Sequence, residues 1–175
     1  MEFEYELKIP KERIAVLIGK SGEIKRQIEK ETKTKLDIDS KEGDIYIKGE
    51  DSINLYNSRE IIHAIGRGFN PEIALKLLKI DHGIEFIDMQ EYAKTKNSML
   101  RLKGRVIGKE GKSRFNIENF TDTDICVYGK TIAIIGTTEN IAIAKKAIDS
   151  LLTGSPHSSV YKYLEAQKKM RKIGL

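Results

Sequence analysis

The 175-residue sequence predicts an α+β protein. It reads as two tandem copies of one β-α-α-β-β-α unit, each a three-stranded sheet packed against helices, the two rigidly joined. The first observation behind this is internal self-similarity. Setting Gly19 on Gly108 aligns Leu17-Ile18-Gly19-Lys20-Ser21-Gly22 with Val106-Ile107-Gly108-Lys109-Glu110-Gly111. The register continues without gaps: Ile28-Glu29 meets Ile117-Glu118, Thr32-x-Thr34 meets Thr121-x-Thr123, and Leu36-x-Ile38 meets Ile125-x-Val127. Ile47-Lys48-Gly49 then meets Ile134-Ile135-Gly136 at a slightly shorter offset, a change that a loop between two strands absorbs. The second observation is periodicity, which switches between strand-like and helix-like spacing at the same places in both copies. The third is a Gly-x-x-Gly break between two short helical patterns in each copy.

In the first copy, Phe3, Tyr5, Leu7 and Ile9 alternate with polar residues, a strand that Pro10 ends. Ile14, Leu17 and Ile18 mark a short helix, Gly19 to Gly22 interrupts it, and Ile24 and Ile28 mark the apolar face of the next. Leu36 and Ile38 alternate in a second strand, Gly43-Asp44 makes the turn, Ile45 and Ile47 form a third strand, and residues 51–65 read as a long helix. The turn Arg67-Gly68-Phe69-Asn70-Pro71 leads into a helical pattern over Glu72 to Lys79, with Ile73, Leu77 and Ile80 on one face. That connection lacks a Gly/Ser run, so it predicts an ordered bridge and the boundary between domains 1–80 and 81–175. The second copy predicts a strand from Ile84 to Met89, helices around 99–107 and 111–119, strands around 123–128 and 131–136, and a helix at 138–152. Its longer lead to the glycines predicts an inserted helical turn over Glu91 to Thr95, and Tyr161 to Lys172 reads as a basic C-terminal helix.

Composition narrows the function classes. Charged residues are 33%, hydrophobic 39% and aromatic 7%, too apolar for disorder and too charged for a membrane protein. No apolar run is long enough to span a bilayer, and the acidic opening Met1-Glu2-Phe3-Glu4-Tyr5-Glu6 is unlike a signal peptide, so a cytoplasmic protein is expected. The 26 isoleucines and 3 glutamines, with abundant Lys and Glu, point to a thermophilic source. Cys126 is alone, and His63, His82 and His157 are far apart without ligand-like companions, so neither a disulfide, a metal nor any other cofactor is expected. Residues 1–80 carry 15 basic and 15 acidic side chains, whereas the rest carries 16 and 11. Between Lys94 and Arg114 eight basic residues face one acid, Glu110, the electrostatic footprint of a nucleic-acid surface.

A loop with glycine at both ends lets backbone approach a nucleic-acid strand, and the following helix points its amides at the phosphate. The expected RNA-binding residues are therefore Gly108, Lys109, Glu110 and Gly111 with Lys112, Arg114, Arg101, Lys103 and Arg105, and, in the first copy, Gly19, Lys20, Ser21, Gly22 and Lys25. Ile107 and Ile117, like Ile28 in the first copy, are expected to give the bases an apolar floor, with Ile38 and Val127 opposite. The string Gly108-Lys109-Glu110-Gly111-Lys112-Ser113 ends like a nucleotide-binding loop, but that loop needs four residues between its glycines and here there are two. Cys126 reads as a strand residue, and Asp122 and Asp124 as a polar strand face, so no catalytic residues are expected and the protein is read as a non-enzyme.

Two such loops in register, each after an isoleucine, identify each unit as a KH module. The run Gly104-Arg105-Val106-Ile107-Gly108-Lys109-Glu110-Gly111-Lys112-Ser113-Arg114-Phe115-Asn116-Ile117-Glu118-Asn119 resembles the signature of a specific family. These are the archaeal and eukaryotic KH proteins typified by the partner of the Nob endonuclease in small-ribosomal-subunit maturation. Gly66-Arg67-Gly68-Phe69-Asn70-Pro71-Glu72 resembles that family's inter-repeat segment, and Gly154-Ser155-Pro156-His157-Ser158-Ser159-Val160-Tyr161 its tail. The intact first loop and the start directly at the first strand match an archaeal member. The resemblance implies two tandem type I KH domains that bind the single-stranded 3′ region of small-subunit rRNA during assembly and rRNA processing, without catalysis. Implied partners are the Nob endonuclease and the translation initiation factor two alpha subunit, with no membrane contact and a monomeric chain. Two alternatives stay open: a KH adaptor in exosome-associated mRNA turnover, and a protein-interaction scaffold docking a ribosomal or initiation-factor partner.

Overall fold

The computed structural model describes residues 1–174, which form two compact units, Met1–Ile80 and the chain from Asp81 onward. In the first unit β1 (Phe3–Lys8), α1 (Lys11–Ile18), α2 (Glu23–Thr32), β2 (Lys35–Asp39), β3 (Asp44–Gly49) and α3 (Ser52–Gly66) follow in the predicted order. A short helix α4 (Pro71–Ala74) and a 3-10 turn (Leu75–Leu78) complete it. The sheet runs β1-β3-β2, antiparallel throughout, with Leu7 opposite Ile45 and Leu36 opposite Ile47. Ile45 and Ile47 point from the central strand into a core with Leu17, Ile28, Ile61, Ile62 and Ile65. Phe3 and Tyr5 sit on an edge strand and remain partly exposed, with the Arg59 guanidinium 4.9 Å above the Tyr5 ring.

The second unit repeats the plan: β4 (His82–Asp88), α5 (Lys96–Ile107), α6 (Lys112–Thr121), β5 (Asp124–Tyr128), β6 (Thr131–Thr137), α7 (Thr138–Leu152) and a further helix α8 (His157–Lys172). Its sheet order is β4-β6-β5, again antiparallel. Val106, Ile117, Ile132, Ile134, Ile148 and Leu151 fill its core, and α8 adds Val160 and Leu164.

The identities shared by the two copies are interlocks between α2 and β2 and between α6 and β5. Glu29 accepts the Leu36 amide at 3.0 Å, and Glu118 accepts the Ile125 amide at 3.0 Å. Thr32 bonds the Ile28 carbonyl and lies 2.7 Å from the Thr34 hydroxyl, while Thr121 and Thr123 repeat both contacts. These buried hydroxyls keep their hydrogen-bonding capacity only in this one register.

Three sequence expectations need correction. The insertion before the second loop is not a helical turn over Glu91 to Thr95. A 3-10 turn spans Met89–Glu91, and α5 starts early at Lys96 because Thr95 and Ser98 form a reciprocal capping box. Ile80 does not share the buried face of Leu77: Lys79 leaves the turn in an extended conformation and Ile80 is fully exposed. The basic C-terminal helix begins at His157, four residues earlier than expected, straight after Pro156.

Candidate nucleic-acid interface

Each Gly-x-x-Gly loop is a tight turn between two helices, and the two are nearly superimposable in dihedral space. Gly19 and Gly108 have φ 74° and 76° with ψ 178° and 174°, a region open to glycine alone. Ser21 and Glu110 follow in the left-handed conformation at φ 54° and 55°, and Gly22 and Gly111 at φ 77° in both. A Cβ on Gly19 would lie 2.4 Å from Ile24 Cγ1, and one on Gly108 would lie 2.7 Å from Ser113 Cβ. A Cβ on Gly111 would meet nothing within 4 Å. The first glycine is therefore required by the packing of the second helix under the loop, and the second is the one that leaves backbone open to a ligand.

Although the backbones agree, the charges do not. Around the first loop Glu12 and Glu23 accompany Lys20; the matching positions around the second are Arg101 and Lys112 beside Lys109. Lys109 and Lys112 are exposed, as is Arg101 one face back on α5, and Glu110 is the loop's acid. Lys103 lies half-buried on α5, four residues before the half-buried Ile107 and so on the same side of the helix. On the outer side of the loop Lys109, Glu110, Lys112, Arg114 and Phe115 line an open cavity of about 560 Å3. The Phe115 ring is 59% exposed on α6, an aromatic platform where a base can stack. Phe115 stands outside the RNA-binding residues expected from the sequence; its place next to the cationic loop is the signal that points to it.

Several expected site residues are committed elsewhere. Ile28 and Ile117 are fully buried in their cores and offer no floor to a base, while Ile18, Ile38, Ile107 and Val127 stay half-buried. Arg105 is turned away from the outer cavity: its Nε donates to the Leu151 carbonyl at 2.8 Å and its Nη2 to the Ser155 carbonyl, closing the C-terminus of α7. Arg114 reaches back to the Ile125 carbonyl at 3.2 Å while keeping its charge beside the loop. In the first unit Arg26 donates to the Ser21 carbonyl at 2.8 Å and braces the loop, and Lys25 is half-buried. The family-like tail has a physical role here, since Ser155 receives Arg105 and His157 donates from Nε2 to the Arg105 carbonyl at 2.8 Å. No group of three or more His, Cys, Asp or Glu side chains able to hold a metal occurs among the described residues.

Comparison with known proteins agrees with this geometry. Residues 83–169 match the model of the eukaryotic type KH domain of type I, and residues 4–66 match the KH domain model. A KH domain-containing protein of Methanocaldococcus jannaschii is 51% identical over 167 residues, covering 93% of this chain and 73% of that protein. The RNA-binding protein pno1 of Dictyostelium discoideum is 35% identical over 87% of this chain, which spans 66% of its length. Dim2p of Pyrococcus horikoshii superposes with a TM-score of 0.89 at 47% identity, covering 94% of this chain and 99% of that one. In a crystal structure of an a/eIF2alpha–aDim2p–rRNA complex from the same organism, a matching chain superposes with a TM-score of 0.91 at 47% identity, covering 96% of this chain and 95% of that one. With both units matched to KH models and over half of the aligned residues shared with the Methanocaldococcus protein, the chain belongs to the two-KH-domain family of the Dim2 and Pno1 proteins.

Proposed function

We propose that this protein is an RNA-binding assembly factor of the small ribosomal subunit, which holds the single-stranded 3′ region of small-subunit rRNA with the second Gly-x-x-Gly loop as its principal clamp. The carrying observation is the charge exchange at matched loops, where Arg101 and Lys112 stand in place of Glu12 and Glu23. A phosphate approaching Gly111 meets backbone amides, the N-terminus of α6 and Lys112 together, while Arg101 stands on the other side of the loop. Phe115 adds a sequence-tolerant stacking surface beside them. The names of relatives support the reading: a Chaetomium thermophilum relative is a pre-rRNA-processing protein, and the Pyrococcus complex contains rRNA.

The protein acts by binding, not by catalysis, because the exposed groups around the loop are cations, the single carboxylate of Glu110 and an aromatic ring, with no nucleophile paired to a base. It works in the cytoplasm as a monomer, with the Nob endonuclease and the initiation factor alpha subunit as protein partners; the Pyrococcus complex contains such a subunit. No helix among the described residues is long and apolar enough to cross a membrane. The direct test is nuclease digestion of the protein purified from its native cells, followed by sequencing of the protected RNA. Fragments from the 3′ region of small-subunit rRNA are expected; a population of mRNA fragments would favour the turnover adaptor instead.

A further inference from the structure

The second loop has a cavity on each side. Behind it, between α5, α6 and α8, lies a notch of about 390 Å3 whose walls include Arg101, Gly104, Lys109, Lys112 and His157. No carboxylate lines it. At its base the Ser113 hydroxyl, on a residue only 2% exposed, has no hydrogen-bond partner among the described residues. A buried hydroxyl left unpaired carries a free-energy penalty that a ligand oxygen would remove.

The first unit shows what the notch replaced. The positions matching Arg101, Gly104, Lys112 and Ser113 are Glu12, Ala15, Glu23 and Ile24. There the Ile24 side chain occupies the space under the loop glycine. Relative to that arrangement, the second unit trades two acids for two bases, an isoleucine for a smaller polar residue and an alanine for glycine, all around one space. The space also adjoins the N-terminus of the ten-residue helix α6. His157, fixed by its bond to the Arg105 carbonyl, stands in the outer wall.

We propose that this notch is a second phosphate site for the same RNA strand, distinct from the contact at Gly111, so that the strand is gripped on both sides of the loop. The proposal rests on the reading of the second loop as an RNA clamp. Three cations and a serine hydroxyl suit a phosphodiester oxyanion, and charge-assisted hydrogen bonds are the strong ones in such a site. The strand would turn around the loop instead of passing along one face of it.

The test places a single methylphosphonate, which removes one charge, at each linkage in turn of a single-stranded rRNA 3′-end oligonucleotide. The wild-type protein should show two separated linkages at which affinity falls at least about fivefold. Ser113→Ile, which installs the residue the first unit already accommodates, should respond at only one; Arg101→Glu on the exposed face of α5 is the parallel variant. Thermal melting checks that both variants fold. The same two-linkage profile in wild type and variants overturns the notch. If neither wild type nor variants bind the oligonucleotide, the RNA reading falls, and inorganic phosphate then decides the notch alone. Amide shifts at Lys112 and Ser113 in the wild type that vanish in Ser113→Ile support it, and unmoved amides refute it.

Discussion

Gly108 and Ser113 are packed so closely that a methyl group on the glycine would lie 2.7 Å from both the Cβ and the amide nitrogen of the serine. The two glycines of the loop are therefore unequal: one is required by the packing of the fold, and the other leaves open space beside its backbone.

Gly108→Ala should destabilise the second unit, since it combines this clash with a dihedral region that alanine avoids. A loss of about 1–3 kcal/mol, seen as a drop of several degrees or more in its melting temperature, is expected. Gly111→Ala should cost about 1 kcal/mol of stability for its positive φ and show its main effect on RNA affinity. Equal melting temperatures for the two variants would contradict the assignment.

Replacing Lys109 and Glu110 together by Asp preserves both glycines while turning two carboxylates towards the strand. Affinity for the rRNA 3′-end oligonucleotide should fall at least about tenfold, ~1.4 kcal/mol, with melting nearly unchanged. The matching change at Lys20 and Ser21 should cost less, because Glu12 and Glu23 already weaken that loop. For the wild type, about five phosphate contacts give a log-log salt slope near −3.5. A greater loss from the first-loop variant, read by fluorescence anisotropy, would reverse the ranking of the loops.

Phe115→Ala removes an exposed ring whose absence leaves no cavity in the core. Stacking of one base is worth about 1–3 kcal/mol, so affinity should fall by at least about fivefold while the salt slope stays constant. A change in slope with unchanged affinity at low salt would mean that the ring does not meet a base.

Burial pushes the His63 imidazole below its ordinary range, and Arg59 and Arg67 act in the same direction. A folded-state value below the unfolded one means that the unfolded chain takes up more protons as pH falls. The contribution to stability is therefore full above about pH 6.5 and declines below it. The first unit should lose melting temperature between about pH 7.5 and 5.5, and His63→Gln should lessen that loss. Parallel curves for the two proteins would show that His63 titrates as it does in the unfolded chain.

Much of this was readable from the chain because both copies preserve interlocks, not just patterns. Glu29 and Glu118 each hold the first buried residue of the next strand, and the paired threonines each lock the turn before it. Such contacts tolerate few substitutions, so they survive as identities in register. Periodicity, by contrast, groups Ile28 and Ile117 with a helix face but does not say whether that face meets a core or a groove. Charge counting likewise included Arg105 with its neighbours, although its guanidinium is bound to the end of α7. Ser113 could not be assigned from the chain alone, because its significance depends on the space that Ile24 fills in the other copy.

Arg105 has a counterpart that alignment by residue does not find. In the first unit Arg13 donates from Nε to the Ile65 carbonyl at 2.8 Å and from Nη2 to the Phe69 carbonyl at 2.9 Å. The acceptors Ile65 and Phe69 match Leu151 and Ser155, yet Arg13 stands six residues before its loop glycine and Arg105 only three. The clasp has outlived the position that supplies it, moving by about one helical turn while reaching the same two carbonyls. Divergence after the duplication thus proceeded by exchanging donors under a fixed demand. A chimera carrying Lys11–Ile18 in place of the last eight residues of α5 would bring its arginine to the wrong turn unless that demand allows either site.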